Sequence, residues 1–596
     1  MNISSITSRC AKSPGEVDKV LGEALARIDT ADDGNIWIAR VPDADVRAAG
    51  ERLSGMDPAE LPLFGVPFAV KDNIDVAGMP TTAACPEFAY TPEQSAPVVD
   101  RLIAAGAVLM GKTNLDQFAA GLVGTRSPYG ACENAFDRAY VSGGSSSGSA
   151  VSVARGLVAF SLGTDTAGSG RVPAAFNNIV GLKPTRGLLS ARGVVPACRT
   201  LDCISIFANC VADARTVLDV AAGFDPDDVY SRDAGDAADG AAIVLANARI
   251  GVPTRETLEF FGDTAAEKLF QGAVARAEKL GATIVEVDLT PFLEAARLLY
   301  EGPWIAERYV GIREFFDAHP DAVHPVTREI IAGGAMPSAA DAFTAEYRMQ
   351  ALRRTVEPVW REIDAMMTPT AGTIYTIAEL EADPIRLNSN LGYYTNYMNL
   401  LDLCGTAVPA GFLDSGLPFG VTLVAPAFRD RALLPLADAM HRAAETGMGA
   451  ARAPLPDDAP DGKPEAGEDM MLLVACGAHM SGLPLNHQLT ARGATLVRET
   501  RSAPKYRFYA LEAFTPPRPG MIRTETGGVA IDVEVWAIPR AAFGSFMAEI
   551  PAPLGIGTVE LEDGSEAKGF ICEAYAAEGA LDISDIGSWR GYLARR

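Results

Sequence analysis

The chain has 596 residues, too many for one ordinary domain, so two or three are expected. With 48% hydrophobic and 21% charged residues it is not a disordered chain. A formal charge of −25 argues against a nucleic-acid partner, because that binding is mainly cationic, but a local arginine could still receive an acidic small molecule.

In chain order, residues 14–28 carry apolar positions at helical spacing, and Ile36-Trp37-Ile38 predicts a short strand. From about 60 to 220, short apolar strands (Phe68–Val70, Ala107–Met110) alternate with Ala-rich helical stretches (Ala96–Ala105, Ala150–Ala154). That alternation predicts a mixed α/β core. Asp225–Gly240 reads as a surface loop, 264–280 and 340–363 as amphipathic helices, and the text from Ile250 and over Met366–Thr370 as strands. Ala453–Asp469 holds four prolines and six acidic residues and predicts a linker. Domains are therefore expected at 1–452 and 470–596, joined by 453–469. The second is a small α+β or barrel-like unit, with strands at Leu472–Ala475, Tyr506–Tyr509 and Ile531–Trp536.

The nine cysteines are scattered, with no CxxC pair and no metal-ligand spacing to a histidine, which predicts reduced thiols and no metal site. The first twenty residues lack the apolar core of a signal peptide, and no apolar run approaches the roughly 18 residues of a membrane helix. A soluble, cytoplasmic protein with no membrane partner is expected.

Three motifs compete for the chemistry. Gly106-Ala-Val-Leu-Met-Gly-Lys112-Thr113 matches the phosphate-loop pattern, but its four central residues form an apolar strand where a cradle needs loop backbone. A helix, a turn and a strand with an exposed end is the better reading. Gly144-Ser-Ser-Ser-Gly148 matches a nucleophile elbow, but that elbow needs a preceding strand and a later acid and histidine. Of the later histidines, His319 and His324 lie in an Asp- and Pro-containing loop and His441 in a helix. The third reading joins both Ser/Gly clusters. No histidine precedes His319, so the base that activates a serine must be another group, and Lys71 is the best local candidate. Ser169 would attack a carbonyl, Ser145 would relay its proton, and neutral Lys71 would accept it. Backbone N–H groups of Thr166, Ala167, Gly168 and Ser169 would converge on the developing oxyanion.

These stretches resemble the amidase signature family of Ser-cisSer-Lys amide hydrolases. The resemblance rests on Gly65-Val-Pro-Phe-Ala-Val-Lys71-Asp-Asn, Gly111–Phe118, the Gly143–Ser149 cluster and Asp165–Ser169, with 74 residues from Lys71 to Ser145 and 24 from Ser145 to Ser169. Similar text continues to about residue 440; Gly170 departs from it, standing where the family usually has a bulkier apolar residue. The resemblance implies a central mixed β-sheet surrounded by helices, with Ser169 as nucleophile, Ser145 as bridging serine after a cis peptide bond, and Lys71 as base. Lys71 must then be neutral, which requires Asp72 and Asp75 to point away from it.

Within that family, Leu122–Gly130, Gly193–Cys203 and Leu299–Tyr309 resemble the allophanate hydrolase branch, as does a tail over 470–596. Allophanate is a urea bearing a carboxylate, and an arginine fork suits it. The resemblance implies substrate contacts from Gly124, Tyr300 and Arg308. Pro303 would open a helix capped by Gly302, with Tyr300 in the loop before it; on a surface, Arg308 would instead pair with Glu301 or Glu307. The tail resembles the γ-glutamylcyclotransferase-like domain of that branch, implying decarboxylation of the first product. Of its two histidines, His487 is favoured over His479 as a general acid. The resemblance further implies no cofactor, a homodimer and a functional association with urea carboxylase. Two alternatives remain at this stage: a malonamidase-like small-amide amidase, and one component of a tRNA-dependent amidotransferase, which the acidic balance and the tail disfavour.

Overall fold

Strands buried on both faces organise the larger part of this protein. The computed structural model describes all residues except 1, 14, 32–33, 236–241 and 457–469, and all side chains of these but that of residue 541. Most of the expected linker and the end of the expected 225–240 loop thus lie outside the described residues. The chain divides into two compact units, Met1–Pro460 and Asp461–Arg596.

Among the described residues of the first unit, eleven strands form one sheet. They are β1 (Trp37–Arg40), β2 (Pro67–Lys71), β3 (Val108–Thr113), β4 (Phe160–Asp165), β5 (Val180–Lys183), β6 (Cys203–Ala208), β7 (Arg249–Pro253), β8 (Thr283–Val287), β9 (Ala365–Pro369), β10 (Leu403–Phe412) and β11 (Pro418–Pro426). The order is β1-β3-β2-β4-β6-β5-β10-β11-β9-β7-β8. β2 runs parallel to β3 and β4, whereas β4–β6, β6–β5, β5–β10 and β10–β11 are antiparallel. The sheet is mixed and surrounded by helices, as the sequence leads one to expect. Every residue of β2 to β6 is buried, which explains their near-continuous apolar text. The helix Ser147–Ala154 packs on this layer with every side chain buried; its Ser, Gly and Ala residues permit that close approach.

The second unit places β12 (Met470–Ala475), β13 (Thr495–Arg501), β14 (Tyr506–Leu511), β15 (Arg518–Arg523), β16 (Asp532–Pro539), β17 (Leu554–Glu560), β18 (Glu566–Cys572) and β19 (Leu581–Asp582) in two sheets, ordered β13-β16-β12-β18-β17 and β15-β14-β19. Its own core includes Leu473, Phe508, Val535, Trp536 and Trp589. Among the described residues, no helix is long and apolar enough to cross a membrane.

The segment that matches the phosphate-loop pattern becomes β3, and its end is not exposed: Lys112 is fully buried. Its Nζ donates to the Pro80 carbonyl at 2.9 Å and to Thr81 Oγ1 at 2.7 Å, and lies 3.1 Å from Asp72 Oδ1. Removing one member of a buried ion pair strands the other charge, at a cost of about 3–5 kcal/mol. Lys112→Met is therefore expected to lower unfolding free energy by that amount in urea titrations. A loss under about 1 kcal/mol would show that Asp72 does not depend on Lys112.

Candidate active site

β2 and β4 run side by side, and both end where the polar groups gather. β2 delivers Lys71 as its last residue, and Thr164 lies next to the end of β4. This is the crevice beyond the carboxyl ends of parallel strands, a recurrent ligand position in open sheets. Lys71 is fully buried; its Nζ donates to Ser145 Oγ at 2.8 Å and to Thr164 Oγ1 at 2.7 Å. The Gly144–Ser145 peptide is cis. Ser146 joins the serine cluster to β4, donating to the Thr164 carbonyl at 3.1 Å and accepting its N–H at 3.3 Å.

Burial pushes the Lys71 ammonium down to about 7, opposed by the fields of Asp116, Asp202 and Asp165 and assisted by that of Arg308. The two neighbouring carboxylates do point elsewhere. Asp72 accepts from Thr82 and faces Lys112, and Asp75 accepts from Thr81 Oγ1 and Tyr90 Oη at 2.8 Å each.

Ser169 stands in the turn after β4, 3% exposed. Asp165 builds that turn. Its carboxylate accepts the N–H of Gly168 at 2.8 Å and of Gly170 at 3.0 Å, and Arg171 Nε and Nη2 at 2.8 and 2.9 Å. Burial alone would raise the Asp165 carboxyl, but Arg171, Lys183 and the Gly168 N–H hold it below its usual value. Gly168 has φ +131°, and a Cβ there would fall 2.4 Å from Thr395 Oγ1, so only glycine fits. Gly170, the departure from the family pattern, is packed against Ser205: a Cβ there would lie 2.5 Å from Ser205 Cβ.

This corrects the expected set of oxyanion donors. The Gly168 N–H already serves Asp165, whereas those of Thr166, Ala167 and Ser169 have no acceptor among the described residues. The Gly124 N–H donates to Asp116 Oδ2 at 3.0 Å, and its carbonyl accepts from Cys132 with a second lone pair to spare. At φ +78° a Cβ on Gly124 would lie 2.5 Å from Ser142 Oγ.

Tyr300 lies in the last turn of the helix Thr290–Glu301 and is not in a loop; that helix runs on to its C-cap at Gly302. Gly302 and Pro303 then separate it from the helix Trp304–Ala318, which carries Arg308. Arg308 is 4% exposed, with its guanidinium carbon 5.7 Å from the Tyr300 ring centroid. Its one hydrogen bond among the described residues runs from Nη1 to the Ala119 carbonyl at 3.4 Å. Glu307 is not its partner, because it accepts from Thr200 N and Oγ1 at 2.7 Å each, and Glu301 is exposed. Burial opposes the charge of Arg308, yet Tyr300, Cys198, Asp202 and Glu307 hold its pKa above the usual value.

Sequence reasoning gave no role of their own to Thr164, Asp165 or Asp202. Asp202 accepts from Thr166 Oγ1 and from the N–H groups of Ala197 and Cys198, and burial pushes its carboxyl up to about 6.

Residues 19–434 match the Amidase family model. The chain belongs to the amidase family. Residues 471–594 of this amidase match a second model, the allophanate hydrolase C-terminal domain. Among its relatives, urea amidolyase of Saccharomyces cerevisiae is 43% identical over 96% of this chain but only 32% of its own length, so the chain spans about a third of that protein. A glutamyl-tRNA(Gln) amidotransferase component of a Synechococcus strain is 34% identical, covering 70% of this chain and 88% of the relative. The allophanate hydrolase of Kluyveromyces lactis superposes with a TM-score of 0.87 at 42% identity, covering 100% of this chain and 99% of that one.

The second unit of the amidase contains a small cavity lined by Gly477, His479, Arg518, Pro519 and Phe570, among others. His479 stacks on Phe570 with ring centroids 4.7 Å apart and donates from Nε2 to Gln488 Oε1 at 2.8 Å. Burial pushes it down to about 4. His487, the favoured candidate, is exposed, and its Nδ1 is taken by the Pro484 carbonyl at 2.9 Å. His479, not His487, is the histidine that lines this cavity. The Gly/Pro turn that seemed to present His487 instead caps that ring with its own backbone.

Thr164 and Ser145 accept from Lys71 Nζ and together fix the position of its amine. Thr164→Val is expected to lower kcat on any amide roughly tenfold, the worth of one hydrogen bond to a chargeable group, with unchanged thermal unfolding. An unaltered kcat would mean that Ser145 alone positions Lys71.

Proposed function

We propose that this amidase hydrolyses allophanate through Lys71, Ser145 and Ser169. The observation that carries the reading is a buried lysine, pushed down to about 7, whose Nζ lies 2.8 Å from Ser145 Oγ. Near pH 7 a sizeable fraction of Lys71 is neutral and can take a proton. Ser169 Oγ attacks the terminal ureido carbonyl, its proton passes to Ser145, and the Ser145 proton passes to Lys71. The N–H groups of Thr166, Ala167 and Ser169 stabilise the oxyanion. Lys71 returns the proton through Ser145 to the leaving nitrogen, and ammonia departs. Water then attacks the acyl-serine and releases N-carboxycarbamate. Arg308, buried and without a carboxylate partner among the described residues, holds the substrate carboxylate beside Tyr300.

In the second unit, the cavity beside His479 and Arg518 is the place we assign to loss of carbon dioxide from N-carboxycarbamate, with a proton delivered to nitrogen as the C–N bond breaks. The carbamate left behind then breaks down to ammonia and carbon dioxide, so one allophanate and one water yield two molecules of each. A homodimer in the cytoplasm, fed by an enzyme that carboxylates urea, completes the proposal; the resemblance to urea amidolyase supports that pairing.

The test is ammonia release without ATP. Ser169→Ala is expected to abolish release from allophanate and leave the melting temperature unchanged; persistent turnover would exclude Ser169 as nucleophile. Arg308→Ala is expected to raise KM for allophanate roughly 10–100-fold, the worth of a charged hydrogen bond, and to spare the neutral malonamide. Equal loss on both amides would point to misfolding.

A further inference from the structure

A second buried guanidinium lies beside Arg308. Arg126 is 2% exposed. Its Nη1 donates to the Ala120 carbonyl and its Nη2 to the Pro384 carbonyl, each at 2.7 Å. Its Nε is buried with no acceptor among the described residues. Arg308 Nη1 reaches the Ala119 carbonyl, so the two guanidiniums hold consecutive carbonyls of one turn. Phe118 and Ala119 adopt φ +53° and +54° there, which sets that turn apart from ordinary chain. Each cation lies within the field of the other, and Tyr300 within the field of both.

Neither has a carboxylate within ion-pair distance among the described residues. Asp116 is the nearest anion whose field reaches Arg126, but its oxygens are taken by the N–H groups of Val123, Gly124 and Arg126 itself, each at 3.0 Å. Elsewhere the fold compensates such groups: Arg171 meets Asp165 at 2.8 Å, and Lys112 meets Asp72 at 3.1 Å. A buried lysine without a partner can shed its proton, as Lys71 does, but an arginine cannot. Two buried, uncompensated arginines on one turn are costly to keep unless an anion joins them.

We propose that Arg126 is the second cation of this pocket, a positioning residue that selects amides bearing a carboxylate by fixing the Ala119–Ala120 turn under Arg308 and adding its charge. This rests on the reading of the site as a receptor for the allophanate carboxylate. Arg308 touches the substrate, and Arg126 acts through the turn and through space.

The test uses the full chain with allophanate and malonamide as probes, reading kcat and KM separately. In Arg126→Gln, KM for allophanate is expected to rise about tenfold with kcat little changed, so that the allophanate-over-malonamide ratio of kcat/KM falls by the same factor. Arg126→Lys carries the charge only while its buried ammonium stays protonated, so it is expected to recover the ratio at low pH and to lose it as pH rises. Equal losses on both amides, or no change on allophanate, would overturn the proposal. If the glutamine variant fails to fold, the lysine variant decides. Its ratio, relative to wild type, must fall as pH rises and the buried lysine loses its charge; a ratio that follows wild type at every pH, or loss of both activities alike, counts against Arg126 as a selector. Failure of the underlying reading shows differently, as a wild-type protein with no preference for allophanate over malonamide.

Discussion

The first unit is arranged around a lysine that has been taken out of water without a carboxylate to meet it. Lys71 ends a strand buried on both sides, and its only hydrogen-bond acceptors among the described residues are hydroxyls. Burial disfavours the ammonium by more than the fields of Asp116, Asp202 and Asp165 recover. That imbalance lets a lysine lose its proton near neutral pH, as the proposed base must. It depends on Asp72 being drawn off by Lys112 and Thr82, and Asp75 by Thr81 and Tyr90.

Charge management also separates the scaffold from the site. Asp165 and Arg171 form a closed pair that ties down the turn carrying Ser169, and in doing so it takes up the N–H groups of Gly168 and Gly170. What that turn leaves without an acceptor among the described residues is the N–H groups of Thr166, Ala167 and Ser169. Arg308 and Arg126 are left open in the opposite sense: each is buried and charged, with backbone carbonyls as its hydrogen-bond acceptors. On the reading proposed above, a neutral base and unanswered guanidiniums would suit a substrate that is an amide at one end and an anion at the other.

Much of this could be read from the chain. The mixed sheet followed from alternating apolar and Ala-rich text, and Lys71 and Ser145, 74 residues apart in sequence, do meet. The missing parts were those whose roles exist only in three dimensions. Gly168 looked like a free backbone donor because nothing local shows that Asp165 reaches it. Thr164 is an unremarkable strand residue until β2 and β4 align. Tyr300 was placed in a loop because Gly302 was read as capping the following helix, whereas it caps the end of the preceding one. His479 and His487 are indistinguishable in composition, and only packing against Phe570 tells them apart.

The most direct test of this account is the pH dependence of kcat/KM for a neutral amide such as malonamide, whose own protonation does not change over the range. A base lowered to about 7 predicts activity that is lost as pH falls through that value, along a single-proton limb, because protonated Lys71 cannot accept from Ser145. A flat profile from pH 5 to 9, or a limb near the ordinary lysine value of about 10.4, would contradict it.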